Sequence, residues 1–246
     1  SERKKIKFLL SFFDENSLKF VEKLNLDFYK IPSPELTNLL LINKIKKKKK
    51  ILLSCGLAKF NEIKKVLNIL KLKKFKKKDL ILMHCNSAYP TPVEDINLKK
   101  IEYLREKFNL QVGFSDHSIG DLAVICAKML GVNIIEKHFT LNKKLKGPDH
   151  KTSMEPNEFK NMITKVKIVN KMLGRKNVFV TNSEKINLKF IKKYLVAKEN
   201  IIKGEKFTLK NITAKRAEEG IPSFNYKKII NKKSKFNFKI DEKIKL

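Results

Sequence analysis

The chain has 246 residues, 42% of them hydrophobic, and a formal net charge of +31. Such a length and apolar content give one large domain, or a medium domain with a small appendage, and exclude a disordered chain. No apolar run approaches the roughly 18 residues that cross a bilayer, and three scattered cysteines (Cys55, Cys85, Cys126) make neither a disulfide framework nor a CxxC metal site.

The opening stretch SERKKIKFLLSFFDENS has a basic start and a brief apolar patch that stops at Asp14 without a small-residue cleavage site. No signal peptide is expected, and a reducing, cytoplasmic setting is the default. The charge invites a nucleic-acid reading, but only four of the 56 basic residues are arginine: Arg3, Arg105, Arg175 and Arg216. Lysine runs such as KIKKKKK (Lys44 to Lys50) and KFKKKD fall between apolar segments, with neither arginine forks nor aromatic platforms. They read as solvated helix ends and loops, so no nucleic-acid or membrane partner is expected.

In chain order, short apolar runs alternate with longer stretches of helical period. KIKFLLS precedes NSLKFVEKL, DFYKIPS precedes LTNLLLINKI, and KILLSCG precedes FNEIKKVLNILKL. LILMHCN precedes INLKKIEYLREKF, LQVGFSDH precedes IGDLAVICAKML, and VNIIEKHF precedes EPNEFKNMITKVKIVNKML. Buried strands alternating with amphipathic helices predict βα units and a parallel sheet. Ser11, Ser33, Ser54, Cys85 with Ser87, Ser115 with His117, and His138 all fall at strand C-terminal ends. Those ends converge on one mouth in a barrel but not in an open sheet, which favours a TIM-type (β/α)8 barrel. Six units are found where a closed barrel needs eight, so two are expected to be missing at the N-terminus. The barrel is expected over residues 1–174, a linker rich in turn formers over 175–187, and a small β-rich domain over 188–246.

His117 and His138 end adjacent strands, each preceded by an acidic residue within two positions (SDH, EKH). Two imidazoles with open positions suit a divalent Mn, Co, Mg or Zn ion, with Asp116 and Glu136 placed to orient the rings or the substrate. His84 is expected to face the barrel wall, and His150 to be a structural or lid residue. The serines at the strand ends, with Lys30, are hydroxyl and ammonium donors of the kind a phosphate or carboxylate needs. Residues i and i+3 of a strand point to opposite faces, so Pro32 must bend the chain if Lys30 and Ser33 are to meet one ligand.

The ordered motifs YKIPSPELTN, ILLSCG, HCNSAYPTPVEDINL, VGFSDHSIG, IIEKHFTL and KGPDHKTSMEP resemble the sialic acid synthase family, which includes N-acetylneuraminate, legionaminic and pseudaminic acid synthases. The tail VAKENIIKGEKFTLKNITAKRAEEGI resembles the antifreeze-like (SAF) domain of these enzymes. The resemblance implies condensation of phosphoenolpyruvate with N-acetylmannosamine or a related N-acetylated hexose. The products are a nine-carbon 2-keto acid and phosphate. It implies that His117 and His138 hold the divalent metal, Mn²⁺ or Mg²⁺, and that Lys30, Ser33, Ser54, Ser87 and Ser115 hold phosphoenolpyruvate, with Ser11 where relatives often carry threonine. Tyr89, Glu35, Glu136 and Asp149 would contact or orient the sugar, Glu136 being catalytic with the two histidines. Arg216 would reach the partner's site in a domain-swapped homodimer and bind the N-acetyl group. The family pattern SGE reads SPE here, STG reads SCG, and Ala217 stands where a proline usually follows the arginine. Rival readings are another metal-assisted barrel enzyme (a class II aldolase or a deoxy-heptulosonate-type synthase), and an inactive or split fragment of such a synthase that folds only with a partner fragment, or a basic binding module.

Overall fold

The computed structural model describes residues 6–24, 26–46 and 49–246. Arg3, Lys5, Lys47 and Lys48, and with them the basic start and part of the first lysine run, lie outside the described residues. The chain forms two compact units, 1–174 and 175–246.

The first unit is a five-stranded parallel half-barrel sheet. Its strands run in spatial order β1 (Phe28–Ile31), β2 (Lys50–Ser54), β3 (Leu80–His84), β4 (Gln111–Asp116) and β5 (Ile135–Lys137). Helices α1 (Glu15–Lys23), α2 (Leu39–Lys44), α3 (Phe60–Leu72), α4 (Lys99–Phe108), α5 (Leu122–Met129) and α6 (Pro156–Met172) fall before, between and after them. Local chemistry fixes these helix starts. Asp14 accepts from the Ser17 amide at the head of α1, and Asn38 accepts from the Leu41 amide at the head of α2. Pro156 opens α6, where its missing N–H costs nothing.

The sequence predicts six strands in this unit, and the first is not one. From Ile6 to Leu10 the chain is irregular, and only Ser11 makes a single parallel bridge, to Lys30. Ile6 and Phe8 stay 67% and 54% exposed, so no burial supports a strand there.

The strands separate two apolar layers by their alternation. Tyr29, Ile31, Ile51, Leu53, Leu80, Leu82, Val112 and Phe114 belong to the core that includes α3 and α4 residues such as Ile63, Val66, Ile101 and Leu104. On the opposite face Leu52, Ile81 and Met83, flanked by Phe28 and Ile134, form a small apolar floor. Gly113 has no side chain because Met83 fills the space: a Cβ there would lie 2.4 Å from its sulfur and 2.9 Å from the Ile134 carbonyl.

The second unit holds the antiparallel pair β6 (Lys193–Ala197) and β7 (Ile212–Arg216) around Leu195, Ala197, Ile201, Phe207, Ile212, Ile229, Phe238 and Ile244. The expected linker 175–187 is corrected in part. Residues Asn182–Ile191 form a helix, α7, because Thr181 caps it and Glu184 reaches back to the Thr181 amide. No helix among the described residues is long and apolar enough to cross a membrane.

Candidate active site

The face that carries the apolar floor continues, two residues at a time, into polar groups at the strand C-terminal ends. The series are Phe28–Lys30, Leu52–Ser54–Gly56, Ile81–Met83–Cys85–Ser87, Gly113–Ser115–His117 and Ile134–Glu136–His138. A period of two keeps each series on one side of the sheet, so the floor is apolar and the rim is chemical.

Lys30 is the buried cation of this rim, 5% exposed. Its Nζ donates to Ser54 Oγ at 2.7 Å and lies 3.3 Å from Glu136 Oε2. Glu136 Oε1 accepts from Ser115 Oγ at 2.8 Å. That proton is then spent, so the 3.4 Å approach of Ser115 Oγ to His117 Nε2 leaves the ring nitrogen's lone pair free. Ser33 begins a 3₁₀ turn after Pro32, and this bend carries its hydroxyl to the Gly56 amide, which donates to it at 3.1 Å. Cys85 Sγ lies 3.2 Å from the same hydroxyl. A Cβ on Gly56 would stand 2.5 Å from Ser87 Oγ, 2.7 Å from Ser33 Oγ and 3.1 Å from Cys85 Sγ. Three strand ends therefore converge on the space that Gly56 leaves open.

His117 and His138 come together edge to face, their ring centroids 5.3 Å apart. Tyr89, beside the cis Tyr89–Pro90 bond, packs on both rings at 4.2 and 5.4 Å. Burial pushes the His117 pKa down, which keeps the ring neutral. Its Nδ1 bonds the Asn86 carbonyl at 2.5 Å, an acceptor-only partner that fixes the proton on Nδ1 and the lone pair on Nε2. Asp149 Oδ2 lies 3.9 Å from His138 Nδ1. Among the described residues no group of three or more His, Cys, Asp and Glu side chains is placed to hold a metal ion. The donor set fits a divalent cation held by two imidazoles, with its remaining positions left to water or substrate. Burial also raises the Tyr89 pKa, helped by Cys85, Asp149 and Glu136.

The expected residues divide clearly. Lys30, Ser33, Ser54, Ser87, Ser115, Glu136, His117, His138 and Tyr89 gather at the strand ends, and Ser11 is joined to Lys30 by an isolated parallel bridge at the edge of the sheet. Glu35 bonds locally to Asn38, the cap of α2, at 2.7 Å. Arg216 is exposed at the end of β7 in the second unit, paired in register with Lys193. The expectation that Asp116 orients a ring is corrected. It faces away from the rim, bonding Ser118 and Lys137, because its neighbours Ser115 and His117 take the rim side. His84 faces the helices, stacked on Phe114, with Nε2 on the Ile96 carbonyl. His150 Nδ1 meets Thr140 Oγ1 at 2.7 Å. Gly56, Asn86 and Lys137 were not singled out from the sequence. Period-two counting from the apolar floor would have picked out Gly56, but no local pattern announces a carbonyl such as that of Asn86.

The family model described as NeuB matches residues 1–178. The chain belongs to the NeuB family. It is 41% identical over 241 residues to the N,N'-diacetyllegionaminic acid synthase of Campylobacter jejuni, covering 98% of this chain and 72% of that protein. It is 38% identical to the pseudaminic acid synthase of Helicobacter pylori, over 91% of this chain and 66% of that one. The crystal structure of the N-acetylneuraminic acid synthetase of Leptospira borgpetersenii, in complex with citrate, superposes with a TM-score of 0.70 at 32% identity, covering 76% of this chain and 65% of that one. The NeuB match spans the half-barrel that carries both the anion-suited rim and the histidine pair.

Proposed function

We propose that the strand-end site condenses phosphoenolpyruvate with an open-chain N-acetylated hexose, giving a nine-carbon 2-keto acid and inorganic phosphate. The observation that carries this reading is the convergence of Lys30, four serine hydroxyls and two facing imidazoles on one rim of a NeuB-family sheet.

In this reading Lys30, Ser33, Ser54, Ser87 and Ser115 hold the phosphate and carboxylate of phosphoenolpyruvate, with Ser11 alongside. Rigid strand ends position these donors before the substrate arrives. His117 and His138 hold a divalent cation, Mn²⁺ or Mg²⁺, which when bound polarises the sugar aldehyde. Tyr89, Glu35 and Asp149 contact or orient the sugar. Carbon 3 of the enol attacks the aldehyde carbon, the aldehyde oxygen takes a proton from solvent to become a hydroxyl, and carbon 2 is left as an oxocarbenium centre. Water adds at carbon 2, Glu136 takes one of its protons and returns it to solvent, and the tetrahedral adduct expels phosphate by C–O cleavage as the remaining hydroxyl proton passes to the departing phosphate. Glu136 suits this role because its carboxylate is fixed by Ser115 and Lys30 and remains partly open to solvent. The second unit acts as the SAF domain, and Arg216 from a second copy of the chain binds the N-acetyl group.

The 41% identity to a synthase of a doubly N-acetylated acid favours a second reading of the acceptor, a diacetamido hexose rather than N-acetylmannosamine. Phosphate release from phosphoenolpyruvate, measured with Mn²⁺ and each candidate sugar, tests both readings. Turnover should appear with one acceptor class and vanish in His117→Ala and in His138→Ala. Full activity in both variants would remove the histidine pair from the reaction.

A further inference from the structure

We propose that Asp116 and Lys137 form a buried ionic clasp whose task is to set the spacing of His117 and His138. The proposal rests on the two-imidazole reading of the rim. The two residues occupy directly paired positions of β4 and β5, each one residue before a histidine. Their side chains are both 1% exposed and meet at 2.7 Å. They lie on the face opposite Ser115 and Glu136, so they touch neither the rim nor any ligand held there.

The bonding is closed. Asp116 Oδ1 accepts from the Ser118 amide at 2.9 Å and from Ser118 Oγ at 2.7 Å, while Oδ2 accepts from Lys137 Nζ. Lys137 Nζ also donates to the Ser118 carbonyl. His117 is therefore the middle residue of a three-residue segment pinned at both ends. Its own carbonyl accepts from the Thr91 amide at 3.0 Å. The other histidine is held likewise on its far side, its carbonyl accepting from the Met154 amide at 2.9 Å. On the near side β5 has only three residues, paired through them to β4, so a short ladder fixes the chain that enters His138. Lys137 ties that end across the strand gap.

A buried ion pair contributes little net stability against an uncharged pair of similar shape, yet one left half-made is costly. Geometry is thus the role that fits the pair, and it predicts a split between stability and placement. In Asp116→Asn/Lys137→Met the protein should unfold within a few degrees of the parent. The nuclear Overhauser contact between the His117 and His138 rings should weaken or vanish. Affinity for Co²⁺, followed by its visible absorption, should fall at least tenfold, the scale seen when groups supporting a metal ligand are removed. Lys137→Arg keeps the charge and should keep the ring contact. An unchanged ring contact in the double variant overturns the clasp, whatever the cation does. Loss of that contact in a protein whose parent binds no Co²⁺ upholds the clasp and instead removes the metal from the proposed function. If the double variant does not fold, Asp116→Asn alone is read the same way below its melting temperature: its amide oxygen keeps the Ser118 bonds, while its NH2 cannot accept from Lys137 Nζ, so the clasp is opened on that side.

Discussion

Gly56→Ala is the sharpest probe of the proposed phosphoenolpyruvate site because it adds a single methyl group where the strand ends converge. Gly56 has no left-handed backbone angle, so alanine costs no strain of its own. The new Cβ would stand 2.5 Å from Ser87 Oγ and 2.7 Å from Ser33 Oγ, against the 3.4 Å or more of ordinary contact. Each hydroxyl must therefore retreat by about 1 Å, a displacement on the scale that costs roughly 100-fold when it falls on a positioning group. Ser33 Oγ also accepts from the Gly56 amide and touches Cys85 Sγ, so its movement disturbs three elements together.

Global stability should hardly change. Each clash falls on the tip of a half-buried serine side chain, and the loss of the bond from the Gly56 amide to Ser33, about 1 kcal/mol, is offset by the roughly 0.4–1 kcal/mol by which replacing glycine restricts the unfolded chain. The assay is phosphate release at varied phosphoenolpyruvate, together with direct phosphoenolpyruvate binding by calorimetry and a thermal melt. The expected result is a KM for phosphoenolpyruvate raised tens- to a hundred-fold at unchanged Tm, with the KM for the sugar little altered. Parent-like phosphoenolpyruvate affinity in a folded Gly56→Ala protein would refute the placement of the anion between Ser33 and Ser87.

Three further outcomes follow from named contacts. Lys30→Met should weaken phosphoenolpyruvate binding roughly 10- to 100-fold, the worth of one charge-assisted hydrogen bond, as read by the same calorimetry. Arg216→Ala should raise the KM for the sugar and leave that for phosphoenolpyruvate alone. His84 is held neutral by burial, its pKa pushed down from 6.5 to about 4, and its Nδ1 has no hydrogen-bond partner among the described residues. Above pH 6.5 the ring is neutral folded or unfolded. As pH falls from 6.5 toward 4 the unfolded chain takes the proton first, so stability drops by roughly 3 kcal/mol across that window. Urea melts of His84→Phe should lack that part of the acid slope.

The parallel sheet was legible because buried strands and amphipathic helices differ in hydrophobic period, and five of the six expected strands form. The sixth misled for a physical reason. Residues 6–10 are apolar enough to read as a strand, but composition does not reveal whether anything covers them, and Ile6 and Phe8 are left exposed. The helix Asn182–Ile191 was hidden differently, because its Thr181–Glu184 capping box lies within a polar, turn-rich stretch that reads as a linker.

Within the site, the alternation Ser115–Asp116–His117 beside Glu136–Lys137–His138 holds the lesson. Acidic residues near a histidine suggest, one motif at a time, that both carboxylates serve the rings. Two strands in register separate them. Glu136 faces the rim with Ser115, and Asp116 faces away with Lys137. Spacing alone cannot say which carboxylate meets solvent and which meets a buried ammonium, because that depends on the facing strand. Once the register is known, period two assigns every residue of both motifs. One face then carries the rim of the proposed site, with Ser115, His117, Glu136 and His138, and the other carries the buried Asp116–Lys137 pair.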